Sequence, residues 1–243
     1  MRIQVLFYFL ACLFLFPISA EAQTVRVKYK KFVVPGQTEY GRWASSPAMK
    51  RQLREREEKM ANSTAEYYTL YTNGRTSFFE YDTLIQRQKI DETDSWWRRM
   101  GEVKQNQAKD LRTGDITHRS PILPDSVCSS ENFKSEYQWK ASDGFKVFAG
   151  LPCQKVVHAS EEGDSLIVWY TPEIPMSDGP EIYGGAPGLI LAVEGKGFNY
   201  IAEEVEVGDF DIAMDPIPPG QCLEKKEFNE KMRTAAMKKF MQN

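Results

Sequence analysis

The chain has 243 residues, 31 Lys and Arg against 34 Asp and Glu, a formal charge of −3 and 42% hydrophobic residues. So mild a balance leaves no electrostatic footprint for nucleic acid and no special pull toward anionic membranes. The length suits one large domain or two small ones, and a domain of this size buries a core without staples.

The N-terminus reads as a signal peptide over residues 1–22. Arg2 gives a positive start, Val5 through Phe16 form an almost unbroken apolar run, and Ala20, Glu21 and Ala22 make the small-x-small pattern that signal peptidase reads. The expected cut lies between Ala22 and Gln23. A membrane anchor is the poorer reading, because the apolar run is short of the ~20 residues a spanning helix needs and Pro17 breaks it. Lipid modification of Cys12 is disfavoured too, since apolar residues continue from Leu13 to Ile18. No later stretch is long and apolar enough to span a bilayer. The expected location is outside the cytoplasm: periplasmic, outer-membrane associated or secreted. With no repeat and no low-complexity linker, residues 23–243 read as a single β-rich domain.

Val25, Val27 and Tyr29 alternate as a half-buried strand does, and Phe32 to Val34 extend it to Pro35 and Gly36. Ser46 caps a helix that Pro47 opens, with Met49, Leu53 and Met60 on a narrow stripe as far as Ala61. Two β-favouring runs, Tyr67 to Thr72 and Arg75 to Tyr81, flank Asn73-Gly74, which predicts a hairpin with a type I′ turn. Residues 82–131 are polar and weakly periodic and read as loops, with a short helix around Trp96 and Trp97. A strand then runs from Phe133 through Tyr137 and Trp139 to a turn at Ser142, Asp143 and Gly144. Further strands are expected at Phe145 to Ala149, Gln154 to His158, Leu166 to Thr171, Leu189 to Val193 and Phe198 to Val207. Their short spacings favour antiparallel pairing, except across the Pro- and Gly-rich loop from Pro172 to Gly188. Leu223 to Met241 reads as a helix with an apolar stripe of Phe228, Met232, Ala235, Ala236 and Phe240.

Little of this carries chemistry. His118 falls in a predicted loop and His158 near a strand. No Cys-x-x-Cys pair and no zinc-type spacing occurs, and Asp209, Asp211 and Asp215 lack the glycine and terminal glutamate of a calcium loop. No metal site and no cofactor is expected. After cleavage three cysteines remain, Cys128, Cys153 and Cys222; one bridge is permitted and three pairings are open. Cys153 and Lys155 share a strand face, so a nearby lysine ammonium would favour a thiolate. A buried, inert cysteine is the blander reading. The glycines of Gly184-Gly185-Ala186-Pro187-Gly188 precede a strand rather than a helix, so they fit a tight turn and not a phosphate cradle.

Gly185-Ala186-Pro187-Gly188-Leu189-Ile190 resembles the motif that names the GLPGLI family of exported proteins from Gram-negative bacteria. Trp169-Tyr170-Thr171-Pro172-Glu173-Ile174-Pro175 resembles that family's WYTPEIP stretch, Asp178-Gly179-Pro180 its DGP, and Gly150-Leu151-Pro152-Cys153-Gln154-Lys155 its cysteine element. The hairpin from Tyr71 to Phe79 resembles its earlier LYxNxxxSxF stretch. Ala186 departs from leucine and Val156 from alanine. The resemblance implies a mainly β (α+β) fold: a curved antiparallel sheet, by analogy a half-barrel like a lipoprotein carrier, with a C-terminal helix and one or two accessory helices. It implies no established activity. The matching motif residues supply the candidate binding set Trp169, Tyr170, Pro172, Glu173, Asp178, Gly185, Pro187 and Gly188. Two readings follow. The favoured one is a non-enzymatic envelope protein that binds an apolar ligand or peptide, or serves an outer-membrane transporter or peptidase. The alternative is a thiol-dependent enzyme or redox protein centred on Cys153, with Lys155 beside it.

Overall fold

The structure is a computed structural model that describes residues 23–34, 46–63, 65–82, 106–124, 126–132, 137–159, 165–195, 197–213, 215–217 and 219–241. The expected signal peptide and the expected helix at Trp96 and Trp97 lie outside these residues. Eleven strands form one open antiparallel sheet: β1 (Thr24–Val33), β2 (Glu66–Thr72), β3 (Thr76–Tyr81), β4 (Asn106–Asp110), β5 (Asp115–Arg119), β6 (Cys128–Asn132), β7 (Lys140–Phe148), β8 (Leu151–Ala159), β9 (Ser165–Thr171), β10 (Leu189–Gly195) and β11 (Phe198–Gly208). Their order across the sheet is β6-β5-β4-β3-β2-β1-β11-β10-β9-β8-β7. The first strand thus lies against the last in the middle, with Thr24 opposite Gly208 and Val33 opposite Phe198. Helices α1 (Pro47–Ser63) and α2 (Lys225–Met241) complete the fold.

Alternation decides which face is buried. Val25, Val27 and Tyr29 of β1 are at most 1% exposed, and the register places Leu70, Tyr68, Phe79, Ala202 and Tyr200 on the same face. Full burial of each large apolar side chain contributes about 1.5–3 kcal/mol. The outward residues Arg26 and Lys28 meet Glu206 and Glu204 across the β1–β11 ladder.

Three sequence expectations are corrected. Residues 106–132 hold three strands rather than loops, and His118 sits buried on β5. Residues 142–144 do not end a strand. They form a bulge inside β7, where the register jumps between Ser142 and Phe145, so the runs on either side are one strand; residues 137–139 precede it as coil. The hairpin centre is displaced by one residue, because Asn73 N–H donates to Thr76 O (3.2 Å) and the central pair is Gly74-Arg75. Only Gly74 has positive φ (78°), where a type I′ turn needs two such residues, and the Asn73 carboxamide accepts from the Arg75 and Thr76 amides at 2.9 Å.

Beyond β11 the chain straps back over the outer face. Phe210 packs on Tyr71 with the Arg26 guanidinium 4.6 Å from its ring centroid, Ile212 packs against Phe78 and Ala108, and the Ile217 amide donates to the Thr117 hydroxyl (2.8 Å). The strap ends at β6, where Cys222 is bonded to Cys128 and Leu223 pairs with Ser129. The open question of pairing is thereby answered, with Cys153 left as the free thiol. Phe228 of α2, 1% exposed, anchors the helix that follows.

The Glu131 carboxylate ties this corner together, lying 2.5 Å from His118 Nε2 and 2.6 Å from Lys225 Nζ. Chiefly the His118 hydrogen bond, helped by Lys225 and opposed by burial, holds its pKa down at about 2. A depressed folded-state pKa gives stability that is present above the unfolded value of about 4.3 and lost as pH falls toward 2. Glu131→Gln is expected to remove about 2 kcal/mol of that acid-limb dependence, read as a flatter stability profile between pH 4.5 and 2 in urea titrations.

Candidate functional site

The loop between β9 and β10 carries most of the motif residues, and its path explains them. Its base is pinched: a Cβ on Gly188 would lie 2.2 Å from the Thr171 carbonyl oxygen, so no other residue fits there. Leu189 N–H donates to Ile174 O (3.0 Å) and Ile190 N–H to Asp178 O (2.8 Å), folding the loop onto its own exit strand. Asp178 is then fully buried, with its carboxylate 2.5 Å from Lys109 Nζ of β4, itself 0% exposed. Lys109 also donates to Gly179 O at 2.6 Å. In the sheet order β4 and β10 stand five strands apart, so a loop that touches both bridges the hollow of a curved sheet. Tyr29 Oη, donating to Ile190 O at 2.5 Å, adds a tie from β1. Ala186, Leu189 and Ile190 are wholly buried. The motif therefore acts as a plug: its buried residues are held against β4, β1 and β10 at once.

The candidate binding residues are accordingly dispersed. Pro172, Glu173, Gly185 and Pro187 are exposed, whereas Trp169, Tyr170, Asp178 and Gly188 are buried. Trp169 Nε1 donates to Glu194 (2.9 Å) beneath the Lys146 ammonium, 4.4 Å from the ring centroid, and Tyr170 Oη donates to Gln154 (2.8 Å). These bonds hold both side chains against neighbouring strands.

Cys153 is fully buried, its thiol 3.6 Å from Leu151 O. Burial pushes its pKa up to about 11, with the Glu173 carboxylate pushing the same way; Lys155 does not figure among the groups that act on it. A thiol so protonated is a poor nucleophile. We expect it to resist alkylation at pH 7 in the folded protein and to react within minutes in denaturant, which thiol titration in the two states will check. Rapid labelling of the native protein would restore the thiol-centred reading. Among the described residues no three His, Cys, Asp or Glu side chains converge as a metal ion requires.

A set that sequence reasoning missed lies where the loop tip reaches the end of the sheet. Trp139 donates to Gly184 O (2.8 Å) and stacks on Tyr137, and from there an arc of rings runs through Tyr183 to Phe198, Tyr200 and Tyr68, with successive centroids 5.3–6.4 Å apart. Tyr137, Trp139 and Phe198 are partly exposed. Within the arc Glu181 meets Lys31 at 2.9 Å, and Glu66 accepts from Tyr68 Oη at 2.7 Å. Burial, and then the neighbouring carboxylates, raise the Tyr68 and Tyr200 pKa values well above the ordinary range, so both are neutral phenols. The alternation of Val25, Val27 and Tyr29 was legible, as was a strand from Phe198; that β1 and β11 pair, and so bring these rings together, was not.

Comparison with known proteins gives a family and a fold. A family model described as "Protein of unknown function (Porph_ging)" matches residues 41–192. No curated protein matches the chain. Two crystal forms of PNGF-II superpose with TM-scores of 0.57 and 0.58 at 14% and 15% identity, covering 88% of this chain in each case and 33% and 34% of theirs. The chain thus spans about a third of the length of that protein, and the likeness is one of fold. MucB in complex with MucA(peri) is a more distant likeness, with TM-score 0.34, 11% identity, 85% of this chain and 57% of that one.

Proposed function

From the premise that this chain belongs to the Porph_ging family of proteins of unknown function, we propose that it is an exported, non-enzymatic binding or accessory protein that engages a peptide or protein partner at the aromatic rim. The observation that carries this reading is the arc itself: half-exposed rings and carboxylates gathered around a loop tip, at the mouth of a hollow already filled. Aromatic groups with one apolar body and one polar handle are what partner surfaces enrich. The Cys128–Cys222 bond supports a life in an oxidising compartment, as does the signal-like N-terminus. The GLPGLI resemblance lies largely within the matched residues and is compatible with the family, so we read the two names as describing one group. The buried, protonated Cys153 favours binding over thiol chemistry.

The test is a photo-crosslinking amino acid placed at exposed Gln138, beside Tyr137 and Trp139, with one at exposed Asp209 as control. In native envelopes the rim probe should trap a discrete peptide or protein that the control does not. Equal or absent trapping at both positions would defeat the reading.

A further inference from the structure

The rim holds a cation site, and the chain occupies it with one of its own side chains. Lys31 continues the inward row of β1, directly opposite Tyr200 on β11. Its ammonium lies 4.8 Å from the Tyr200 ring centroid, 5.2 Å from that of Phe198 and 5.9 Å from that of Tyr68. The Glu181 carboxylate closes the fourth side at 2.9 Å. Three rings and a carboxylate around one ammonium are the elements by which proteins recognise organic cations, the negative ring faces attracting the charge.

Two further observations distinguish this from a lysine resting on a surface. Glu181 holds a left-handed backbone conformation (φ 45°) that a non-glycine residue adopts at a cost. That geometry is used to aim its carboxylate into the cage. Tyr200 is wholly buried, and its hydroxyl, although close enough to Glu181 to be influenced by it, completes no hydrogen bond of standard geometry. Lys31, although held by Glu181 and three rings, keeps a path to water. Its side chain is 21% exposed and that of Glu181 27%, so the ammonium can swing into water on its flexible stem while the rings remain.

We propose that this cage is a binding site for an organic ammonium, the lysine side chain or N-terminus of a partner's peptide, and that Lys31 is the resident cation the ligand displaces. The proposal rests on the rim reading and names its ligand chemistry. It also fixes an energetic relation. A ligand sees the cage only for the fraction of time Lys31 is out, so the apparent affinity of the native protein is reduced by that fraction, and removing the Lys31 ammonium raises it.

The probes are tetramethylammonium and a lysine-containing tripeptide, titrated into the full mature chain by NMR. In the native protein the Lys31 ε-methylene signal should start displaced upfield by the three rings and move toward its solvent position as either probe is added. In Lys31→Ala both probes should bind at least tenfold more tightly than in the native protein, and in Lys31→Ala/Glu181→Gln that gain should fall at least tenfold. Binding of tetramethylammonium without the tripeptide would narrow the ligand to quaternary ammonium and overturn the peptide assignment. An unmoved Lys31 signal at saturating probe would overturn the proposal on the native protein alone, whether or not the variants fold. Rim crosslinking at Gln138 with no ammonium binding would leave the rim reading standing and remove this one.

Discussion

Gly188→Ala is expected to cost at least about 3 kcal/mol, the upper range for inserting a methyl group into filled space, because the obstacle is backbone. The added Cβ would lie 2.2 Å from Thr171 O and 3.0 Å from the Tyr170 ring, and neither strand β9 nor β10 can yield without breaking its ladder. For a mature domain of this size the melting temperature should fall by roughly 6–12 °C. Gly220→Ala is the matched control, since nothing lies within 4 Å of its Cβ, and should change little. A Gly188→Ala protein that melts with the parent would refute the pinched-loop account.

The second large effect concerns Lys109 and Asp178. Removing one member of a fully buried ion pair leaves an uncompensated charge and costs about 3–5 kcal/mol, whereas replacing both with apolar groups costs far less. Lys109→Met and Asp178→Leu are each expected to fall in that range, and the double variant to be more stable than either. Urea denaturation of the four proteins forms a double-mutant cycle. Additive losses would show that the pair does not act as a unit. Because the pair joins β4 to the plug, the single variants should also disturb the Tyr183 and Glu181 tip, read as altered signals from the rim rings.

Lys109 also shows why three strands at one edge of the sheet, β4 to β6, were hidden in the sequence. Strand assignment from sequence relies on apolar residues alternating with polar ones. On β4 to β6 the inward positions are Gln107, Lys109, Ile116, His118, Ser129 and Glu131, polar but for Ile116, and two of them find partners far along the chain: Asp178 for Lys109, Lys225 for Glu131. No local pattern announces such strands. Where the inward row is Val25, Val27 and Tyr29, or where the run is apolar on both faces as in Leu189 to Val193, the strands were legible to within a residue or two. The motif glycines were legible as geometry, and the Gly188 contact gives that reading its cause. The bulge at Asp143 and Gly144 was mistaken for a turn because the two share the same residues; only the partner strand β8 tells them apart. The rim was invisible for another reason. Lys31, Tyr68, Glu181 and Tyr200 come from four separate stretches, and their meeting is a property of strand order.

The seam between β1 and β11 also governs timing. Thr24 and Gly208 are opposite one another although 184 positions apart, and the middle of the sheet has no other way to close. Contacts so distant along the chain form slowly, because loop entropy is lost before any pairing compensates. As the chain emerges from a ribosome, β2 can pair with one edge of β1 early, but the edge that faces β11 stays open until almost the whole sequence has followed. The complete sheet is thus withheld until synthesis is nearly finished. That delay leaves the β11-facing edge of the first strand as a row of unpaired amides and carbonyls on the emerging chain.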